Sequence, residues 1–66
     1  MNRQDIENVF KSLAQGQGFY GRLLNRIADS SEDIVDEFYT ILEAKNFKSE
    51  VDLILYIENS NYYHFF

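Results

Sequence analysis

Along residues 3–14 the apolar positions Ile6, Val9, Phe10 and Leu13 recur at i, i+3, i+4 and i+7. That spacing predicts a helix with one narrow apolar stripe. Asn2 is placed to cap it, with Asp5 three residues on. Phe19, Tyr20, Leu23, Leu24 and Ile27 repeat the helical spacing and predict a second helix ending near Asp29. Ser30-Ser31-Glu32-Asp33 reads as a capping box that opens a third. In that segment Ile34, Val35, Phe38, Tyr39, Ile41 and Leu42 project to one side and the acids to the other. Lys45-Asn46 then supplies a basic last turn and a left-handed stop.

The stretch "SEVDLILYIE", residues 49–58, admits two readings. Val51, Leu53, Leu55 and Ile57 alternate with polar residues as a strand would, yet Ile54 and Tyr56 fill the other face. Ser49 and Asp52 have capping-box spacing, and a lone strand needs a partner this chain does not offer. A buried helix, apolar nearly all round, is the favoured reading; a strand requires a second subunit to complete a sheet. The fold class expected is all-α, a compact bundle of three to four short helices completed by self-association. One helical domain over 1–58 would be followed by an aromatic tail over 59–66.

The segment "LAQGQGFYGRLL" places Gly16, Gly18 and Gly21 in the G-x-G-x-x-G spacing of phosphate-binding loops. A dinucleotide fingerprint needs a strand before the glycines and a parallel βαβ unit around them. Here a helix pattern precedes Gly16, and Gly-Lys-Ser/Thr is missing. The glycines read instead as punctuation. Gly16 would end the first helix in a left-handed conformation, Gly18 would relax the turn, and Gly21 would admit a neighbouring backbone. A weaker option is an anion site at this turn with Arg22 and Arg26, one helical turn apart.

Composition sharpens this picture at three points. A chain of 66 residues without cysteine has room for one core and no disulfide or Cys-ligated zinc to brace it. Met1 opens into the polar "MNRQDIEN", and no apolar run approaches the roughly 20 residues a membrane span needs. The expectation is a soluble, complete, cytoplasmic protein of a bacterial host cell, without a membrane partner. The net charge of −5 is concentrated in residues 29–43, where Asp29, Glu32, Asp33, Asp36, Glu37 and Glu43 occur without any Lys or Arg. Such a segment repels phosphates, which disfavours direct nucleic-acid binding, and it suits a basic protein partner.

Leu13, Ala14, Gln17 to Leu24, and Val51 to Glu58 carry a further likeness. "SLAQGQGFYGRLL" with "NFKSEVDLILYIE" resembles a group of small acidic, uncharacterised proteins of bacteriophages and mobile elements, with the pattern LAxxQGFYGRLL followed by an acidic helix and VDLxLYIE. The likeness covers most of residues 8–58. Gly16 and the "NYYHFF" tail depart from the pattern, and the resemblance implies no particular activity.

Enzyme and metal chemistry find no footing. Asp29, Ser31 and Asp33 mimic the start of an EF-hand loop, but Ile34 stands at the glycine position and Thr40 at the closing glutamate. The acids read as a helix face rather than a pocket that would raise a carboxyl pKa. His64 is the single histidine. Neither catalytic residues, a cofactor nor a metal are expected. The acidic face is either solvated charge or a docking surface, and small phage proteins that inhibit host nucleases, CRISPR effectors or restriction enzymes are often acidic in this way. Tyr62, Tyr63, Phe65 and Phe66 either fold back on the bundle or form a homo-oligomer interface. The leading expectation is therefore a non-enzymatic protein-binding module. Its alternative is a structural protein that assembles through the tail.

Overall fold

The computed structural model describes residues 1–16, 18–60 and 66. Four helices account for most of them: α1 (Arg3–Leu13), α2 (Gly18–Asp29), α3 (Glu32–Ala44) and α4 (Glu50–Asn59), with a 3-10 turn at Ala14–Gly16. No strand occurs among the described residues, so the fold is an all-α bundle. Its radius of gyration is 11.0 Å, against about 10.8 Å for a compact chain of this length.

Helices α1, α3 and α4 each begin where a side chain can accept a hydrogen bond from an orphaned amide. Asn2 caps α1 in a full capping box, its side-chain oxygen accepting from the Asp5 amide at 2.8 Å while Asp5 accepts from the Asn2 amide at 3.3 Å. Ser49 accepts from the Asp52 amide at 3.3 Å and starts α4 as a helix, which resolves the ambiguous 49–58 segment. The cap of α3 lies one residue beyond the expected place. Ser31 accepts from Ile34, while Ser30 turns its hydroxyl back to the Arg26 carbonyl at 2.7 Å and closes α2 instead.

The helix ends also differ from expectation at one of two sites. Asn46 takes the left-handed conformation after α3, at φ 53°. Gly16 does not supply such a stop to α1. That helix closes at Ala14 in the right-handed region, φ −81°, and tightens into the 3-10 turn; no positive-φ glycine occurs among the described residues. A tightened last turn satisfies its carbonyls without a left-handed residue.

The core takes residues from every helix: Ile6, Val9 and Phe10; Leu23; Val35, Phe38, Tyr39 and Leu42; Leu53 and Ile57. Phe10 is fully buried, with the rings of Tyr20, Tyr39 and Phe38 at 6.1, 6.3 and 6.4 Å. Three apolar expectations fail at the edges of their stripes. Leu13 and Ile34 are more than a third exposed, and α4 is not buried all round: Val51 and Leu55 are 61% and 55% exposed. A ten-residue helix on a small bundle has one face to bury and one left over.

Candidate functional site

Helix α3 carries five of the six acids singled out in the sequence, and its packing decides which way they point. Val35, Phe38, Tyr39 and Leu42 anchor its inner face in the core, leaving Glu32, Asp33, Asp36, Glu37 and Glu43 exposed. At 100° per residue Glu32, Asp36 and Glu43 share an arc of about 40°, with Asp33 and Glu37 further round. Ile34 and Ile41 come next, about 40–60° beyond Glu37. Ile41 is half-buried and Ile34 exposed, so an apolar margin runs beside Asp33 and Glu37. Glu32 and Asp33 lie in the first turn, where the helix dipole favours negative charge.

The acids are not equivalent. Arg3 of α1 donates from Nη1 to the Asp36 carboxylate at 2.6 Å and from Nε to Glu7 at 2.9 Å. Its guanidinium also lies 4.7 Å from the centre of the Tyr39 ring. The hydrogen bonds to Asp36 and then to Glu7 hold its pKa above the usual arginine range. Asp36 is thereby a bridging residue, and its charge is offset by a base thirty-three positions away in the sequence. Glu32, Asp33, Glu37 and Glu43 have no ion-pair partner among the described residues.

Asp29 stands apart from this face. It lies in the last turn of α2 and borders a surface hollow of about 420 Å³ with Arg22, Asn25, Arg26, Ser30 and Phe66. Arg26 donates to the Phe66 main-chain oxygen at 3.0 Å. Arg22 also borders a second hollow, of about 580 Å³, beside Gly18 and Gly21 at the start of α2. A Cβ at Gly18 would meet open space. Among the described residues no three Asp, Glu or His side chains come together to hold a metal ion, and no helix is long and apolar enough to cross a membrane.

Of the four aromatic tail residues named in the sequence, Phe66 folds back: its ring meets Phe38 edge-on at 5.0 Å. Tyr62, Tyr63 and Phe65, like His64, lie outside the described residues.

Sequence reasoning missed Arg3, and it set Ile34 on the inner side of the third helix rather than at the exposed margin beside the acids. Arg3 gives no local signal, because its partner Asp36 is on another helix. Ile34 could have been found at the rim of the apolar arc, next to the acids in projection. No family model matches the chain, and no curated protein or solved structure is significantly similar to it.

Proposed function

We propose that the chain is a non-enzymatic binding module that docks its α3 face onto a basic, nucleic-acid-handling protein and occupies the groove meant for phosphates. An acidic face of this kind suits an inhibitor of the anti-CRISPR or anti-restriction type, acting inside the bacterial host. The observation that carries this reading is the exposed set Glu32, Asp33, Glu37 and Glu43, without ion-pair partners among the described residues. A helix face kept only for solubility gains a few tenths of a kcal/mol from each Glu–Lys pair one turn apart, and α3 has no Lys or Arg to make one.

In this mechanism Glu32 and Glu43 lie on one arc with Asp36, and Asp33 and Glu37 form the second edge. Ile34 supplies an apolar contact at the margin. Asp36 contributes less, because Arg3 already offsets it.

The test is affinity capture from bacterial lysate with the tagged chain, read by mass spectrometry. Its control is the bait carrying Glu32→Lys, Asp33→Lys and Glu37→Lys, which leaves the Arg3–Asp36 bridge in place. A nucleic-acid-binding protein held by the native chain, lost from the control and released at high salt, supports the reading. Identical recovery by both baits removes the acidic face from consideration.

A further inference from the structure

We infer that Phe66 is a releasable clasp: its ring and its main-chain oxygen fill a two-point seat between α2 and α3, and the seat empties without unfolding the four helices. The inference stands apart from the reading of the acidic face. It starts from two contacts that residue 66 makes across the fold. The ring meets Phe38 of α3 edge-on at 5.0 Å, the arrangement that sets the positive rim of one ring against the negative face of the other. The main-chain oxygen accepts from Nη1 of Arg26, in the last turn of α2, at 3.0 Å. One point recognises an aromatic side chain and the other a peptide carbonyl. Together they select an aromatic residue in one orientation.

Burial separates this contact from the core. The ten buried residues of the core come from all four helices and do not include Phe66, which packs against them half-buried. Arg26 is exposed, and beside the Phe66 ring opens the hollow of about 420 Å³ lined by Arg22, Asn25 and Ser30. Phe38 is the opposite case, only 3% exposed.

Contacts at a half-exposed margin open at a lower free energy than the whole chain unfolds. Opening here lifts a ring from Phe38 and leaves an aromatic surface beside a guanidinium. That emptied seat fits a phenylalanine residue supplied from outside the chain, through the same two contacts. While closed, the seat withholds Phe66 from any association through the tail.

Phe66→Ala empties the seat, and circular dichroism, melting curves and two-dimensional NMR of the whole chain read the result. The variant should keep its helical signal and melt about 4–8 °C below the native chain, the shift that loss of a modest contact produces in a small domain. Arg26→Met keeps the stem and removes the donors. It should cost less, and the double variant less than the sum of the two. Millimolar N-acetylphenylalaninamide should raise the melting temperature of Phe66→Ala and move the amide signals of Phe38 and Arg26. N-acetylalaninamide should do neither, and the native chain, its seat filled, should respond less. A Phe66→Ala chain that melts like the native one overturns the proposal. One that loses its helices does so too, because residue 66 would then belong to the core. Additive losses overturn the two-point seat, as does an equal response of native and variant chains to N-acetylphenylalaninamide, or none in either.

Discussion

Arg3 on α1 and Asp36 on α3 meet at 2.6 Å, joining the first turn of the bundle to the middle of its acidic helix. The same guanidinium lies over Tyr39, whose ring is buried beneath it. One cation therefore ties a core aromatic to a surface carboxylate. It also sets the composition of the exposed face, by removing Asp36 from the acids that a partner would meet as uncompensated charge.

Replacing Arg3 with alanine is expected to lower the melting temperature slightly, since both partners of the bridge are near half exposed. The difference from the native chain should shrink at about 1 M salt, where exposed charges are screened. The same variant should bind a basic partner more tightly at low salt, because Asp36 joins the free acids. Melting curves and titration calorimetry read the two effects separately. Weaker binding by Arg3→Ala would contradict the assignment.

Phe10 is the ring on which three others converge. Phe10→Ala removes a fully buried aromatic and should cost about 3–5 kcal/mol, enough to unfold a domain whose whole stability is of order 5 kcal/mol. Phe10→Leu should keep the helical circular-dichroism signal at a lower melting temperature. A Phe10→Ala chain that melts like the native one would place the core elsewhere.

Asn46 occupies φ 53°, where a Cβ is strained. Asn46→Ala should lose about 1 kcal/mol and Asn46→Gly should be neutral or slightly stabilising. Denaturant titration of the pair measures the difference directly. Equal midpoints for the two variants would show that α3 ends by other means.

Burial pushes the Tyr39 phenol up to about 12, with Glu7 adding to the shift and Arg3 opposing it. Burial, and then the charge of Glu58, also raises Tyr20, whose hydroxyl is enclosed without a hydrogen-bond partner. The folded state thus holds these protons more tightly than the unfolded chain does. Their contribution to stability is complete below about pH 10 and is lost as pH rises toward 12. Melting temperature should fall across that interval, in step with phenolate absorbance. Tyrosines that all titrate together near pH 10 in the folded chain would contradict the burial.

Local signals in the chain reach as far as the caps and stripes. Asn2 with Asp5, and Ser49 before Asp52, announce helix starts because capping acts over three residues. Ser30 and Ser31 are chemically alike, and only the need of α2 to close on the Ser30 hydroxyl decides between them. The 49–58 segment admits a strand as its second reading because Val51 and Leu55 are apolar yet face outward, which blurs the helical period. The acids of α3 are plain in the sequence. Their division into free and paired members depends on Arg3, and no window of local sequence contains both residues of that bridge.

The central claim is that the α3 face takes the place of nucleic acid on its partner, and competition tests it most directly. With the captured partner immobilised, the native chain and a DNA duplex would be titrated against each other. Mutually exclusive binding is expected, with the Glu32→Lys, Asp33→Lys, Glu37→Lys variant unable to displace the duplex. A complex in which the partner holds the chain and the duplex together, each at undiminished affinity, would contradict it.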